Sequence, residues 1–285
     1  MRRFLVVANR NAGSADQEVL AAGVAVLERS ASVEVCATGD VGELDAVLAR
    51  LEGRTLVVAG GDGSLHLAVG RGAPSPIGLL PLGTGNDLAR GLGYPRDPAA
   101  AAERILSGAP RPLDLLRTDF GEVVVNASHA GLGAVAAATS EDLKPRLGAL
   151  AYPVGALISG VREGGYHLRV EVDGTLVSEG ETLLVGIGNG PSIGGGTLLV
   201  PPAVPDDGLL DVVVVQAVGP LARTAFATAL SAGTHLDRDD VLHVRGHTTT
   251  ITGDPVPHDL DGEVTAPLPT ATYTLDPQAW TLLGG

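Results

Sequence analysis

Residues 60–64 read Gly-Gly-Asp-Gly-Ser, a pattern that could bind and process a phosphate group. They follow an apolar run at residues 56–59, typical of a buried strand, and precede a mildly amphipathic run that predicts a helix from residue 65. Glycines between a strand and a helix bring backbone N–H groups to the positive end of a helix dipole, where anions bind. The stretch therefore predicts a phosphate site made by Gly60, Gly61, Asp62, Gly63 and Ser64.

Two side chains in this stretch carry separate expectations. We expect Ser64 to cap the helix or to contact a phosphate oxygen. Asp62 would repel bound phosphates unless a metal ion or a transferable proton lay between them, which indicates metal-assisted chemistry. The stretch alone also allows a tight strand-to-helix turn in which Asp62 is a solvated cap.

A second glycine loop, residues 81–90, also follows an apolar run and leads into a predicted helix. In this loop Asp87 offers a second carboxylate and Arg90 could reach an anion, although a helix with Asp87 in its first turn explains the same pattern. Neither loop matches a Walker A sequence. Leu88 stands where a dinucleotide fingerprint needs its third glycine, which disfavours a Rossmann dehydrogenase. The candidate nucleotide-binding residues of the second loop are Gly83, Thr84, Gly85 and Asn86.

The pattern around both loops predicts an α/β domain over residues 1–118. Strand and helix patterns alternate there, which implies a three-layer arrangement of a parallel sheet with helices on both faces. Ligands of such sheets bind at the carboxyl ends of the strands, so four loops should meet at one site. The predicted strands are residues 4–8, 33–37, 56–59 and 77–80, and the predicted helices are residues 17–29, 41–51, 65–69, 87–92 and 98–106.

After residue 118 the pattern changes to strands joined by turns, which predicts an antiparallel β-sandwich over residues 119–275. Asp173-Gly174 is a strong hairpin signal. The final segment, residues 276–285, could return to complete the first domain. Helices are expected near residues 147–162 and 220–230, and strands at residues 122–127, 166–172, 176–178, 182–187, 209–216, 241–244, 248–252 and 270–275.

The composition excludes several classes of protein. Of the 285 residues, 45% are hydrophobic, which excludes a disordered chain, and the net charge of −14 argues against nucleic-acid binding and against docking on anionic lipid. Lys144 is the only lysine, so a phosphate site must rely on backbone N–H groups, arginine or a divalent cation. One cysteine, Cys36, fits a reducing cytoplasm, and no apolar run is long enough to cross a bilayer.

Together the two glycine loops resemble the diacylglycerol kinase catalytic domain. This domain marks a family of soluble bacterial lipid kinases that is similar to sphingosine kinases and, more distantly, to NAD kinases. Later segments agree in order, so the resemblance spans essentially the whole chain. These segments are residues 126–133 (Asn-Ala-Ser-His-Ala-Gly-Leu-Gly), 188–190 (Gly-Asn-Gly), 205–211 (Pro-Asp-Asp-Gly-Leu-Leu-Asp) and 261–263 (Asp-Gly-Glu).

The resemblance implies an α/β nucleotide-binding domain similar to 6-phosphofructokinase and a β-sandwich domain for a lipid substrate, with ATP and Mg²⁺ as cofactors. The carboxylates that match positions around the catalytic metal are Asp62, Asp87 and Asp114, and Glu263 matches the proton acceptor. The matched ATP-binding positions are residues 9–13, with Asn9, Asn11 and Gly13, then Thr38, residues 61–67, with His66, and Thr84. A second, structural Mg²⁺ is implied at Val204, Asp207 and Leu209, the first and last through their carbonyls.

The residues themselves leave some of these roles open. Asp261-Gly262 and Asp206-Asp207-Gly208 each also fit an ordinary turn. His66 could line the nucleotide site or be structural. His243 and His247 are four residues apart in a strand-like context, which predicts that they point to opposite sides of a turn or bulge and do not hold a metal.

Two departures from the family pattern bear on activity. The first loop is usually Asn-Pro-x-Ser-Gly, and here Arg10 and Ala12 replace the proline and the serine. His66-Leu67 stands where many relatives carry Asn-Glu, which tells against an NAD kinase.

We therefore expect an ATP- and Mg²⁺-dependent lipid kinase that phosphorylates a diacylglycerol-like hydroxyl and yields phosphatidic acid. An NAD kinase, a sphingoid-base kinase and a catalytically silent nucleotide-binding module stay open as alternatives. The expected location is the cytoplasm, with transient contact at the inner membrane surface, no nucleic-acid partner, and a homodimer as an open option. The apolar run at residues 147–161 is a candidate lipid contact, although a buried helix explains it as well.

Overall fold

The computed structural model describes residues 2–10, 14–131 and 165–285. The chain divides into two compact units, Met1–Asp114 with Gln278–Gly285, and Leu115–Pro277. Some predictions lie outside the described residues. These are Asn11 and Gly13 as nucleotide-binding residues, the end of the segment at residues 126–133, and the helix and apolar run at residues 147–162.

Four parallel strands form the sheet of the first unit: β1 (Arg2–Asn9), β2 (Ala31–Thr38), β3 (Thr55–Gly60) and β4 (Gly78–Pro81). They lie in the order β2-β1-β3-β4. The central strands β1 and β3 are continuous buried apolar runs, as expected for a parallel sheet covered on both faces, whereas the edge strand β2 carries exposed polar residues. The predicted α/β fold of this part of the chain is confirmed.

Five helices connect and cover these strands: α1 (Ser14–Glu28), α2 (Val41–Ala49), α3 (Asp62–Gly70), α4 (Asp87–Gly91) and α5 (Pro98–Ser107). The side chain of Asp40 caps α2 by accepting the N–H of Glu43 at 2.9 Å, and Asp97 caps α5 by accepting the N–H of Ala100 at 2.8 Å. Helix α3 begins three residues earlier than predicted.

The second unit is an antiparallel β-sandwich, which confirms the second half of the predicted fold class. Its strands are β5 (Pro110–Thr118), β6 (Val123–Val124), β7 (Ala127–Gly131), β8 (Tyr166–Val172), β9 (Thr175–Thr182), β10 (Leu184–Gly188), β11 (Ser192–Ile193), β12 (Thr197–Leu198), β13 (Leu210–Val215), β14 (Val241–Gly246), β15 (Thr248–Val256), β16 (His258–Leu260), β17 (Glu263–Val264) and β18 (Leu268–Leu283). One sheet has the order β14-β13-β10-β7-β16-β17 and the other the order β6-β5-β18-β15-β8-β9, while β11 and β12 form a separate hairpin.

The core of the sandwich is built from the inward residues of both sheets. Val170, Val212 and Ile251 belong to this cluster, together with the fully buried Tyr273. With very few aromatic residues in the chain, the core is packed mainly from valine and leucine.

Two strand predictions need correction. Residues 122–127 were expected to form one strand, but they divide into β6 and the start of β7, because the carboxylate of Asp261 binds the backbone N–H groups of Val125, Asn126 and Ala127. Strand β5 was not predicted, since its sequence contains two prolines, two arginines and an aspartate, and the short strands β11, β12, β16 and β17 were not predicted either.

Helix α6 (Pro220–Ala232) packs on one face of the sandwich. Phe226 and Leu230 of this helix join Leu199, Val213 and Val215 in a second apolar cluster. A short 3₁₀ turn, His235–Asp237, follows the helix. Within the described residues, no helix is both long and apolar enough to span a bilayer.

The chain ends in the first unit. Leu282 near the end of β18 forms a parallel bridge with Ile77, and the N–H of Leu283 donates to the carbonyl of Ile77 at 2.8 Å. The hydroxyl of Tyr94 also bonds the carbonyl of Leu283, at 3.3 Å. The last residues therefore belong to the same packed unit as the parallel sheet.

Candidate functional site

The carboxyl ends of the four parallel strands lie at one edge of the sheet. β1 ends at Asn9, β2 at Thr38 and β3 at Gly60, and the three strands pair in parallel register. The N–H of Arg10 donates to the carbonyl of Thr38 at 2.9 Å, and the N–H of Leu82 to the carbonyl of Gly60 at 3.0 Å. Backbone bonds thus join adjacent loops in pairs at the edge where ligands of such sheets bind.

Helix α3 begins at the first glycine loop with a glycine as its N-cap residue. Gly61 has no side chain that could accept a hydrogen bond from the first turn. Ser64 lies within the first turn, so the prediction that Ser64 caps this helix is wrong, while its predicted contact with a phosphate stays a prediction. The first N–H groups of a helix need acceptors, and an anion satisfies them.

The two glycine loops touch through their backbones. A Cβ atom on Gly83 would lie 2.6 Å from the Cα atom of Gly61, and one on Gly61 would lie 3.1 Å from the Cα atom of Gly83. A Cβ atom on Gly60 would lie 2.3 Å from the hydroxyl oxygen of Ser64. Larger residues would push the loops apart, so these glycines are required by packing.

Asp62 connects the two loops. Its Oδ2 accepts the backbone N–H of Asp87 at 2.9 Å, and its Oδ1 accepts that of Leu88 at 3.1 Å. Asp62 lies in the first turn of α3 and therefore serves as the anion at the start of α4, 25 residues further along the chain. The second loop does not repeat the geometry of the first, because a carboxylate of the protein accepts its N–H groups.

The other polar residues of the second loop hold its shape. Asn86 is buried with a left-handed backbone (φ 49°), and its Nδ2 donates to the carbonyl of Gly83 at 2.6 Å. Arg90 donates to the carbonyl of Gly85 at 3.1 Å, so its side chain bonds the loop itself. Thr84 is exposed at the tip, where it remains available to a ligand.

Three carboxylates were predicted to surround a metal. Asp87 and Asp114 are buried, and Asp62 is half-buried. Asp114 lies on β5 and accepts the N–H of Gln278 at 2.8 Å. Among the described residues, no group of three or more His, Cys, Asp or Glu side chains could hold a metal ion directly. Mg²⁺ commonly keeps several waters, so carboxylates acting through water and phosphate oxygens still suit it.

Arg10 makes a contact that the sequence did not reveal. Its guanidinium pairs with Glu43 at 2.7 Å, and the same Oε2 atom accepts the N–H of Gly39 at 2.7 Å. The residue that replaces the family's proline thus ties the end of β1 to the loop after β2. His66, on α3, is buried, and its two predicted roles stay open.

The predicted proton acceptor, Glu263, is exposed at the start of β17, in the second unit. Asp261-Gly262 makes the two-residue turn before it, with φ values of 52° and 101°. The Asp261 carboxylate accepts three consecutive backbone N–H groups, those of residues 125–127, at 2.7, 2.9 and 3.0 Å. The predicted Asp173-Gly174 hairpin has the same backbone form, with φ values of 50° and 74°, and its carboxylate accepts the backbone N–H groups of residues 247 and 248.

The segments at residues 126 and 188–190 meet in the fold and have a structural role. Asn126 donates to the carbonyl of Ser192 at 2.7 Å, and Asn189 donates to the carbonyl of Val125 at 2.7 Å. A Cβ atom on Gly190 would lie 2.2 Å from Oδ1 of Asn126. These contacts extend the support of the Asp261 turn, which explains why these residue types occur at these positions.

The loop predicted to hold a structural Mg²⁺ is satisfied by protein groups. Oδ1 of Asp207 accepts the N–H of Leu209 at 3.1 Å, and Oδ2 pairs with Arg245. The carbonyl of Val204 accepts the N–H of Asp206 at 2.9 Å. Arg245 also lies 3.2 Å from the fully buried carboxylate of Asp211. This donor set does not fit a second ion without displacing the arginine.

The two histidines that were not expected to share a metal bind different carboxylates. Nε2 of His243 lies 2.6 Å from Asp211, and Nδ1 of His247 lies 3.5 Å from Asp173.

A polar chain crosses the sandwich core and was not found from the sequence. The hydroxyl of Tyr273 lies 2.9 Å from Oγ of Ser128 and 2.7 Å from Nδ1 of His258. Burial lowers the pKa of His258 to about 4, helped by the nearby His129 and opposed by Asp119. Burial also raises the pKa of Tyr273. Both groups are therefore neutral at physiological pH.

Comparison with known proteins assigns both units. Residues 3–118 match the diacylglycerol kinase catalytic domain, and residues 126–284 match the YegS C-terminal NAD kinase beta sandwich-like domain. The chain belongs to the diacylglycerol kinase catalytic-domain family. This membership confirms the resemblance found in the glycine loops.

Relatives in this family cover most of the chain. A Pseudomonas aeruginosa protein named "Probable lipid kinase YegS-like" is 38% identical over 239 residues, which cover 81% of this chain and 77% of that protein. A Xanthomonas campestris protein of the same name is 36% identical over 243 residues, covering 78% and 77%.

Solved structures agree with the family's fold. A crystal structure from Bacillus anthracis Sterne superposes with a TM-score of 0.83 at 24% identity, covering 99% of this chain and 95% of that one. Another from the same source, described as a diacylglycerol kinase, gives a TM-score of 0.75 at 22% identity, with 99% and 96% coverage. At these identities the likeness shows the fold alone.

Proposed function

We propose that this chain is an ATP- and Mg²⁺-dependent lipid kinase that transfers the γ-phosphate to the hydroxyl of a diacylglycerol-like lipid, giving phosphatidic acid. The observation that carries the proposal is the bridge from Asp62 to the second glycine loop. A carboxylate of the protein fills the start of α4, whereas the start of α3 has a glycine as its N-cap residue and suits an anion from a ligand. Family membership and the names of the relatives support the reaction class.

In this proposal the phosphates of ATP bind at the N-terminus of α3. The backbone N–H groups after Gly61 supply the donors, and the close approach of Gly61 and Gly83 leaves no side chain to block the phosphates. Asn9, Thr38 and Thr84 contact the rest of the nucleotide from the strand ends and the second loop. Phosphoryl transfer depends on positioning and on charge neutralisation more than on covalent chemistry, so rigid loops suit it.

Mg²⁺ would be held beside Asp62, Asp87 and Asp114 and would neutralise charge on the phosphates. Asp62 already accepts two backbone N–H groups, so its main contribution is to hold the two loops in one geometry. Asp87 and Asp114 are buried, and Arg90 lies 3.8 Å from the carboxylate of Asp87, so Mg²⁺ would share the neutralisation of Asp87 with this arginine.

Glu263 accepts the proton of the lipid hydroxyl. As the new O–P bond forms and the bond from phosphorus to the ADP oxygen breaks, the hydroxyl proton passes to the carboxylate. Glu263 is exposed, which suits a group that meets a substrate from outside. The three N–H groups on Asp261 hold the turn that carries it.

The test is transfer of radiolabelled γ-phosphate from ATP to diacylglycerol in mixed micelles, with NAD and a sphingoid base run beside it. Asp62→Asn and Glu263→Gln should each lower transfer by at least about a hundredfold. The matched controls are Asp97→Asn, which alters an exposed helix cap, and Glu122→Gln, an exposed glutamate of the second unit. Both should retain activity.

The alternatives give different results in the same experiment. Label in NADP or in a phosphorylated sphingoid base, with none in phosphatidic acid, would reassign the acceptor. ATP binding without transfer to any acceptor would leave a silent nucleotide-binding module. Transfer to diacylglycerol that survives both Asp62→Asn and Glu263→Gln would refute the proposed site.

A further inference from the structure

Helix α6 has one buried face and one exposed face. Its buried residues include Phe226 and Leu230, whereas Leu221, Thr224, Ala225 and Thr228 are exposed. The spacing of three and four residues places the exposed set on a single stripe. Leu221 is 89% exposed, while the other exposed large hydrophobic residues in the described part of the chain reach at most 47%.

The exposed residues of this helix are uncharged, although the 3₁₀ turn that follows and packs against the helix carries the exposed Asp237. The only charged residue of α6 is Arg223, which is buried on the opposite side of the helix. Residues 190–204 contain no Asp, Glu, Lys or Arg, and they include β12, which packs beside α6 and exposes Leu198. We call Leu198, Leu221, Thr224, Ala225 and Thr228 the neutral face. In a chain of net charge −14, a neutral exposed apolar surface marks a place of contact with another phase or molecule.

The hydroxyl groups on this helix are satisfied internally. Thr224 donates to the carbonyl of Pro220 at 3.0 Å, Thr228 to that of Thr224 at 2.9 Å, and Ser231 to that of Ala227 at 2.9 Å. Hydroxyl donors bonded to the carbonyl four residues earlier need no water. The exposed stripe can therefore lose its hydration without leaving these donors unpaired, as a lipid environment demands.

We propose that the neutral face docks on the surface of a lipid bilayer, with Leu221 inserted at its boundary. Because the residues of the neutral face are uncharged, anionic lipids do not repel them. Buried apolar area then supplies the binding free energy. This inference rests on the proposed function for the reason why the protein docks, because a lipid kinase must take its acceptor from a bilayer. Docking on the bilayer needs no catalysis.

The experiment is co-sedimentation of the full chain with phosphatidylcholine vesicles, with and without a few mole per cent diacylglycerol. Leu221→Glu should weaken the partition coefficient about tenfold or more, because it replaces an inserted apolar side chain by a charge. Leu176→Glu is the matched control, a 47%-exposed leucine of the same unit, and should leave the partition coefficient unchanged. Both leucines are exposed, so the thermal unfolding of the two variants should match the wild type.

Kinase assays separate this inference from the proposed function. With diacylglycerol in vesicles, Leu221→Glu should lower transfer about tenfold, whereas transfer to a soluble short-chain diacylglycerol should be unchanged. If neither acceptor is phosphorylated and vesicle binding still depends on Leu221, the docking surface stands and the proposed function fails. If Leu221→Glu binds vesicles as the wild type does, docking at this face is refuted. The refutation is most direct if light scattering also shows that Leu221→Glu dissociates a dimer, because the face then contacts a second copy of the chain.

Discussion

His258 lies in the core of the sandwich and should make the stability of this unit depend on pH. Its side chain is 1% exposed and bonds the hydroxyl of Tyr273 at 2.7 Å. Burial and the nearby His129 lower its pKa from an ordinary 6.5 to about 4, against an opposing effect of Asp119. The folded protein therefore keeps His258 neutral in a pH range where the unfolded chain protonates it.

The magnitude follows from linkage. Between about pH 6.5 and pH 4 the unfolded state binds more protons than the folded state, so stability falls as the pH is lowered through this window. For these two pKa values the loss between pH 7.5 and pH 4.5 is about 2 to 3 kcal/mol. His235 is also buried with a lowered pKa and should add a loss in the same direction.

The measurement combines two readouts. Imidazole NMR titration should show one resonance with a pKa near 4, and His258→Gln should remove it. Trp280, the only tryptophan, lies in the first unit, so its fluorescence does not report on the sandwich. Hydrogen exchange of amides in β15 and β18 should show that His258→Gln flattens the pH dependence by about 2 to 3 kcal/mol.

His167→Gln is the control, because His167 is exposed on the same unit. Its pH dependence should match that of the wild type. A His258 resonance titrating near pH 6.5, or an unchanged pH dependence in His258→Gln, would refute the reasoning.

Three further substitutions test the packing of the site. Gly83→Ala should lower the free energy of unfolding by about 1 to 3 kcal/mol and weaken ATP binding measured by calorimetry, because its Cβ atom would lie 2.6 Å from the Cα atom of Gly61. An unchanged affinity for ATP would contradict the close contact. Asp261→Asn should destabilise the sandwich by about 2 to 4 kcal/mol through its three N–H bonds, clearly more than the control Asp173→Asn in the matching hairpin. Arg245→Met should lower the free energy of unfolding by about 3 kcal/mol, because it removes the arginine from the fully buried carboxylate of Asp211 and leaves His243 as its side-chain partner. It should also make the melting temperature rise with Mg²⁺, whereas a wild type equally stabilised by Mg²⁺ would show that the ion coexists with the arginine.

Some features of the site emerged only from contacts that are distant in sequence. The sequence placed Asp62 and Asp87 in similar strand-to-helix turns, which suggested two equivalent phosphate loops. Their asymmetry arises because the carboxylate in the first turn of α3 reaches the N–H groups that open α4. A similar long-range contact joins Asp207 to Arg245, 38 residues apart, and gives the predicted metal loop a cation of its own.

Local signals worked where the chain's own neighbours decide the structure. Apolar runs alternating with helical periods determined the parallel sheet, and the Asp-Gly pair at residues 173 and 174 determined a hairpin, because φ > 0 is inexpensive there. The family motifs, which follow one another along the chain in the family's order, identified the relationship to the diacylglycerol kinase catalytic-domain family.

Only the tertiary structure decided which groups are satisfied and which are left open. The N-cap residue of α3 supplies no side-chain cap because it is Gly61 and not Ser64, and the start of α4 is filled from another loop. The neutral face also depends on the tertiary structure. The sequence pattern of α6 shows which side of the helix can be apolar, but it does not show that residues 199–203 and the sheet cover one side of the helix. Hydrogen bonds and burial between distant segments depend on the folded arrangement, and periodicity in one segment carries no information about its partner.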